Sequence, residues 1–597
     1  MNHIKIRETF TRFFEKQGHI IVSSSSLLPE DDPSVLLTTA GMQQFKPYMS
    51  GQKDVMTDIH QTTGKPLRSR RLASIQKSFR TTDIDEVGDT THLTFFEMLG
   101  NFSIGDYFKK EAIAYAWKIL TEDFHLPKEN LWVTVFEGEG KVPKDTEAIK
   151  IWEKMGVPAS HIFQFGRKDN FWGPTGDNGP CGPCSEIHFD FGKHLSCGKN
   201  CGPNCECGRF LEIWNLVFME FFQDSKGNLT PLSQKNIDTG MGLERIARVL
   251  QDGDSIFSTD LFLPLIQKIG HLSLTSYERP ETVSSFRIIS DHVRGAVFLV
   301  ADGVVPSNKE EGYILRRVIR RATLHAKKIG LHEGSIEALA RTVISEYGSL
   351  YPRLQEKSQI VDLLSEEEGR FLHTLQVGMR ELQKIIGKRK LTAEDVFGLF
   401  ETYGLPYDMT FELVQDQDLQ KNRDTIKAEL DSLYQKHQEK SRQSGKMFKS
   451  DEIAPAHSAA HLLNQALREV LGSDIHQRGQ KIGVGEFRHD FNFPRKLTRE
   501  ELRSVEDLVN EKIKEDLPVQ KVVTTFEQAK KERAEALFKE KYKNVDQVTL
   551  YTIGSFSKEL CGGPHVTSTK EIGHFTLKKE ESVSAGVRRI YGKVQSR

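Results

Sequence analysis

The chain holds 597 residues, too many for a single core and enough for about four domains at roughly 150 residues each. Lys plus Arg number 82 against 83 for Asp plus Glu, so the net charge is −1 and any basic surface has to be local. With 38% hydrophobic and 28% charged residues, and no run of about 18 apolar ones, the composition excludes a disordered, collagen-like or membrane-spanning chain.

The first residues, MNHIKIRETF, interleave charge with apolar residues and carry no signal-peptide core, so a cytoplasmic location is expected. Ile6, Phe10, Phe13 and Phe14 recur at helical spacing up to Gly18 and predict an amphipathic first helix. KPLRSRRLASIQKSFR, residues 65–80, holds six Lys or Arg and no acid. LWVTVFEG at 131–138 and RFLEIWNLVFMEFF at 209–222 are rich in aromatic and branched residues, which predicts a sizeable sheet within about 20–245. Alternation in the second segment puts Leu211, Ile213, Asn215, Val217 and Met219 on one face, where the Asn215 amide needs a side-chain partner or a ligand.

In NIDTGMGLERIARVL, Leu243, Ile246, Ala247 and Leu250 mark a helix that begins just after Gly240. Asp238 fits the N-cap. Arg245 falls in the first turns, where the helix dipole disfavours a cation unless an anion is near, so it is either exposed or set against a triphosphate. Residues 255–440 read as helical. In 312–328, Ile314, Leu315, Val318, Ile319 and Ala322 share one face and Arg316, Arg317, Arg320 and Arg321 another. Two basic clusters on a neutral chain favour a phosphate-rich partner. The charged stretch 418–452 reads as a linker, and Pro455, a good first-turn residue, opens a new helix.

His457 and His461 are spaced i, i+4 in HSAAH, on one helix face and away from the apolar stripe of Leu463, Ala466, Leu467 and Val470. With Cys561 and His565 from CGGPH they make a three-nitrogen, one-sulfur set suited to tetrahedral Zn²⁺. The other six of the seven cysteines lie within 27 residues, as CGPC at 181–184 and C-x3-C-x3-C-x-C at 197–207. In a reducing compartment these are thiols or metal ligands. A tetrahedral zinc takes four, so Cys197, Cys201, Cys205 and Cys207 are expected to form a second, structural zinc knuckle, with Cys181 and Cys184 spare.

Together these segments resemble the alanyl-tRNA synthetase family of class II aminoacyl-tRNA synthetases, from the first helix to Gly592. SSSLLPEDDPSVLLTTAGMQQFKPYM is similar to motif 1, QKSFRTTDIDEVGDTTHLTFFEMLGNFSIGDYFK to motif 2 with its adjoining segment, and DTGMGLERIARVL to motif 3. DNFWGPTGDNGPCGPCSEIHFD and LEIWNLVF resemble the alanine-pocket region. DHVRGAVFLVADGVVPSNKEEGYILRRVIRRA resembles the tRNA-binding helical domain, and HSAAH, ELCGGPH and AGVRRI the editing domain.

The resemblance implies an α+β multidomain protein: a class II antiparallel sheet with flanking helices over 1–250, a helical acceptor-stem domain over 251–440, a linker at 441–454 and a zinc-containing α+β editing domain over 455–597. It implies ligation of L-alanine to the 3′ end of tRNA-Ala through alanyl-adenylate, with ATP and Mg²⁺. By motif match, Arg80 would hold the α-phosphate, Asp83 order the motif 2 loop, Phe96 stack on adenine and Arg245 meet the γ-phosphate. Asp238 would pair with the ammonium of alanine, while Trp172, Asn215, Val217 and Gly240 close around its methyl group. Such a pocket cannot strongly reject glycine or serine, and the zinc constellation resembles the site where the family hydrolyses mischarged seryl- and glycyl-tRNA. Asn308 and Glu401 match the positions that read an acceptor-stem wobble pair, Glu401 standing where many members carry Asp.

Full-length members usually add a β-barrel before the editing domain and helical and globular segments after it. Neither resemblance is found here, so a monomer is expected, with tRNA held mainly by the two basic regions. Ala460 and Pro564 stand where hydroxylated residues are common. A free-standing hydrolase would need only 455–592, and a non-catalytic paralogue would be expected to lose Arg80, Asp238 or Arg245; all three stand.

Overall fold

The structure, a computed structural model, describes residues 1–595 apart from 30–31, 33–34, 175, 177, 274, 357–358, 415–425, 431, 434–449, 532–534, 537–546 and 585. It forms two compact units, Met1–Val377 and Gly378–Arg597, and the division falls inside the stretch 251–440 expected to make one helical domain. Most of the expected linker lies outside the described residues, and its end is helical from Ser450 onward.

The first unit opens with the helix His3–Lys16. Asn2 caps it by accepting the Lys5 N–H at 2.8 Å, and Ile6, Phe10, Phe13 and Phe14 are all buried. Nine strands then make one sheet: β1 Ile20–Val22, β2 Arg71–Phe79, β3 Phe95–Ile104, β4 Leu131–Phe136, β5 Ile162–Phe165, β6 Phe171–Trp172, β7 Gly179–Asp190, β8 Phe210–Gln223 and β9 Leu229–Gly242. Their order is β1-β2-β3-β9-β8-β7-β4-β5, with β6 paired to β7. The central pairs are antiparallel, as the resemblance implies, but the outer pairs β1–β2 and β4–β5 are parallel, so the sheet is mixed. Between β4 and β5 runs the helix Thr146–Met155, the crossover that a parallel pair requires. Phe10, Phe14, Trp152, Trp214 and Phe218 belong to the main core. A second cluster of Phe45, Met49, Phe102, Val217 and Met219 draws on the alternate residues of β8.

Two fully buried carboxylates join strand and helices. Glu97 on β3 is bound by Arg7 and receives the Tyr351 hydroxyl at 2.6 Å. Glu244, in the first turn of the helix Leu243–Leu250, is bound by Arg294 of the helix Pro280–Ala301, whose Nη2 also stands 3.6 Å from Glu97. The Glu97 N–H donates to the Glu244 carboxylate at 3.2 Å. Burial opposes the charge on both: it raises the Glu244 carboxyl, while Arg7 and Arg294 outweigh it and hold Glu97 down.

The second basic cluster lies on the helix Glu310–Lys328, and here the expectation needs correcting. Its arginines are consumed within the fold. Arg316 and Arg320 both meet Glu367, at 3.0 and 2.8 Å, and Arg317 meets Asp85 at 2.7 Å. Arg321 is buried and donates to the carbonyls of Ile84 and Val87. The exposed cations are instead Lys327 and Lys328 on this helix, and Lys65, Arg68 and Arg70 before β2.

In the second unit the helix Ser450–Leu471 places Pro455 inside it rather than at its start. A four-stranded antiparallel sheet, β10 Gln477–Ile482, β11 Glu486–Asn492, β17 Val587–Gln595 and β16 His574–Ser584, packs with this helix and with Arg499–Lys514, whose capping box is Thr498 with Glu501. A second sheet has the order β12 Val519–Thr524, β14 Val548–Ile553, β15 Ser557–Leu560 and β13 Glu535–Ala536.

Candidate active site and metal centre

The site grows out of the middle of the sheet. In the β8–β9 register Val217 faces Asp238 and Asn215 faces Gly240; across β7, Glu186 faces Asn215. Simple alternation along β8 fails at a bulge: Trp214 pairs with Ile187 but Glu212 pairs with His188, leaving Ile213 as an extra residue. Glu212 therefore lines the same cavity as Asn215 and Val217, and Leu211 packs into the main core.

That cavity has a volume of about 230 Å³. Arg80, Asp83, Phe96 and Arg245 line it, and so do Trp172, Asn215, Val217, Asp238 and Gly240. Asp238 is a strand residue, not a helix cap: the helix Leu243–Leu250 has Gly242 as its N-cap, with no side-chain cap bond.

Two guanidinium groups set the electrostatics. Arg80 lies 5.0 Å from the Phe96 ring centroid, and burial first, then the charge of Arg245, push its pKa below the ordinary value. Arg245 is not simply exposed, because its Nη1 donates to Glu212 at 2.7 Å. Burial works to raise Glu212, yet Arg245 overrides it and holds the carboxyl down. With Arg245 beside it lowering Arg80, two cations stand close together, a place suited to an anion.

The other end is apolar around Asp238, Asn215 and Glu186. Asp238 is buried, and burial alone pushes its carboxyl up to about 7. Asn215 Nδ2 donates to Glu186 at 3.3 Å, while its Oδ1 is buried with no partner among the described residues. Burial and then Glu212 raise Glu186. A Cβ on Gly240 would lie 2.8 Å from Met98 Sδ, so only glycine leaves the cavity open there. Glu186, Glu212 and Met98 escaped the sequence reading. The available signal for the two acids was Glu212 as the lone acid in the largely apolar FLEIWNLVF; CSEIHFD, with Glu186 and Asp190, gave none.

The expected tRNA-reading residues are both exposed and lie in different units. Asn308 follows the helix Pro280–Ala301 and accepts from Arg316; Glu401 lies on the helix Ala393–Tyr403.

In the second unit, one ligand atom each from His457, His461, Cys561 and His565 converges within 4.8 Å of the others. His461 is buried, with its ring centroid 4.5 Å from that of His565 in the turn after β15. Gly563 in that turn admits no side chain: a Cβ would sit 2.1 Å from His457 Cε1. Burial lowers His457 to about 4 and His565 to about 3, so the imidazoles are neutral, as ligands must be. His565 Nδ1 meets Ser458 Oγ at 3.1 Å and leaves Nε2 without a partner. His461 Nε2 stands 3.6 Å from Glu559, which leaves its Nδ1 without one. Orphaned buried nitrogens beside a thiol, each backed by a second polar group, fit a zinc ion.

Of the six clustered cysteines, Cys181 and Cys184 are buried on β7 in two different apolar clusters. Cys197, Cys201 and Cys205 bring their sulfurs within 4.8 Å of one another, and Cys207 Sγ lies 3.6 Å from Cys201 Sγ.

Residues 5–499 match the family of tRNA synthetases class II (A), more than half of the chain. The chain belongs to this family. Residues 548–591 also match the threonyl and alanyl tRNA synthetase second additional domain. Alanine–tRNA ligase of Treponema pallidum is 43% identical, with 98% of this chain and 97% of that protein covered. The Treponema denticola enzyme of the same name is 44% identical over 98% of each. A Dehalococcoides mccartyi alanine–tRNA ligase is 37% identical, with 98% of this chain and 79% of that protein covered. Among the described residues, no helix of this class II synthetase is long and apolar enough to cross a membrane.

Proposed function

We propose that the chain is an alanine–tRNA ligase that activates alanine at the sheet cavity and edits its products at the histidine–cysteine site. Alanine enters with its ammonium on Asp238 and its methyl group among Trp172, Asn215, Val217 and Gly240. Its carboxylate oxygen attacks the α-phosphorus of ATP in line, forming alanyl-adenylate as the bond to pyrophosphate breaks. Arg80 neutralises the α-phosphate, Arg245 the γ-phosphate, and Phe96 carries adenine, with Asp83 ordering the loop. These fixed cations stabilise charge on the transferring group where water is excluded. Bound Mg²⁺ supplies further charge neutralisation on the triphosphate. A terminal ribose hydroxyl of tRNA-Ala then attacks the alanyl carbonyl, and AMP leaves.

The observation that carries this reading is a buried carboxyl that meets only burial among the described residues, in the same cavity as two neighbouring guanidinium groups, Arg80 and Arg245. Asp238→Ala is expected to abolish alanine-dependent ATP–pyrophosphate exchange; wild-type exchange in that variant would overturn the assignment. Asn308 and Glu401 would read the wobble pair of the acceptor stem, and charging indifferent to its replacement by a Watson–Crick pair overturns that part.

For editing, His457, His461, Cys561 and His565 would hold Zn²⁺, which supplies Lewis acidity beside the ester of a mischarged tRNA. Ser458 and Glu559 orient two of the imidazoles. Hydrolysis of seryl-tRNA-Ala by the chain, lost in Cys561→Ala, is the expected result. No hydrolysis by the unaltered chain removes the editing half and leaves the ligase half standing.

A further inference from the structure

The connection between β7 and β8 spans residues 191–209 and holds only one turn of 3-10 helix, Lys193–Leu195. Residues 193–200 are exposed throughout, and Leu195, the one large aliphatic side chain of 192–208, is exposed too. Loops of this length without a core of their own are uncommon, so something else has to order it. The loop nevertheless has a definite and repetitive geometry. Cys-Gly-Lys-Asn at 197–200 is followed by Cys-Gly-Pro-Asn at 201–204, and each unit closes the same turn: Cys201 N–H donates to Gly198 O at 3.2 Å and Cys205 N–H to Gly202 O at 2.9 Å. Each turn delivers the next thiol to the same place. Cys205 Sγ also accepts the Gly202 N–H at 3.3 Å, the kind of bond that stabilises a thiolate.

We propose that Cys197, Cys201, Cys205 and Cys207 hold a structural Zn²⁺ that takes the place of a hydrophobic core in this loop. Zinc–sulfur bonds of about 2.3 Å in a tetrahedron set sulfurs about 3.8 Å apart. The 3.6 Å between Cys201 Sγ and Cys207 Sγ is such an edge. The loop is clamped at its base, where Arg209 binds Asp190 at 2.8 and 2.5 Å and the Phe191 N–H donates to Arg209 O at 2.9 Å. The metal would therefore cap the end of the β7–β8 pair, the two strands that carry Glu186, Glu212 and Asn215. Its ligands are separate from the histidine–cysteine set, and the site stands whether or not the proposed activity does.

The experiment is zinc counting by elemental analysis on the full chain purified under reducing conditions, in three forms: unaltered, Cys561→Ala, and Cys197→Ser with Cys205→Ser. Two equivalents in the unaltered chain and one in each variant are expected. One equivalent in the unaltered chain, kept by the Cys197→Ser, Cys205→Ser protein and lost by Cys561→Ala, overturns the proposal. Limited trypsin digestion gives a second readout that does not depend on the first site. Cleavage after Lys193 and Lys199 should be slow in the unaltered chain and at least tenfold faster in the double serine variant, whose circular dichroism should be unchanged. Equal cleavage rates would mean that no metal orders the loop.

Discussion

Asp238 meets burial and no counter-charge, so its proton is bound near neutral pH. Alanine needs the ionised form for its ammonium, and below about pH 7 a proton competes with it. The KM for alanine should therefore rise about tenfold per pH unit below that point and level off above it. Pyrophosphate exchange across pH at saturating ATP measures this, and a flat profile down to about pH 5.5 would mean that Asp238 does not receive the ammonium. Gly240→Ala tests the other wall. Its methyl group would press on Met98 and fill the cavity, raising the alanine KM by roughly tenfold or more while the ATP KM holds. Asn215 and Arg245 were legible because each is the wrong residue type for its local pattern, whereas Asp238 fitted a helix N-cap and was singled out only by the motif it belongs to. Glu212 was not, because period-2 counting assumes a regular strand, and the bulge at Ile213 shifts every face beyond it.

At the scale of elements, the helix Glu310–Lys328 shows what periodicity can and cannot tell. Its apolar face was readable from Ile314, Leu315, Val318, Ile319 and Ala322, all of them buried. Its basic face was readable too, but periodicity does not say whether such a face meets water, phosphate or another element's acids. Glu367 and Asp85 supply the answer from far along the chain. Arg294 makes the same point in the core. It is fully buried between Glu244 and Glu97, which are the sequence neighbours of Arg245 and Phe96. Arg294→Met leaves the buried Glu244 without its guanidinium and Glu97 with Arg7 alone, and should lower the stability of the first unit by about 3–5 kcal/mol. Chemical denaturation followed by tryptophan fluorescence checks this, with Arg294→Lys expected to recover part of the loss. A loss under about 1 kcal/mol in the Met variant would mean that the carboxylates are neutral or hydrated.

For the molecule as a whole, the order of sheet, helices and histidine–cysteine module could be read from long motifs, since each packs locally before anything else is known. What could not be read was the mixed edge pairing, which depends on the crossover geometry at 146–155. The four separated residues proposed to hold zinc were recognisable because His457 and His461 recur at one helical turn and Cys561 and His565 bracket a glycine turn, patterns with few structural uses. The sheet cavity lies in the first compact unit and these four residues in the second. Cys561→Ala should thus remove one zinc equivalent and lower the melting temperature of the second unit, while alanine-dependent exchange stays within about twofold, as parallel calorimetry and exchange assays would show.

The buried Arg7–Glu97–Arg294–Glu244 network also bears on how the chain is made. Synthesis delivers Glu97 and Glu244 before the helix Pro280–Ala301 that carries Arg294, so a nascent chain complete through its sheet holds a buried carboxylate without its guanidinium. Glu97 and Glu244 stand next to Phe96 and Arg245 in sequence, so the residues proposed to meet ATP border a network that is complete only with that later helix. A chain ending near residue 250 should therefore show no alanine-dependent ATP–pyrophosphate exchange, and one that includes the helices following the sheet should; exchange by the shorter chain would mean that Glu244 is satisfied without Arg294.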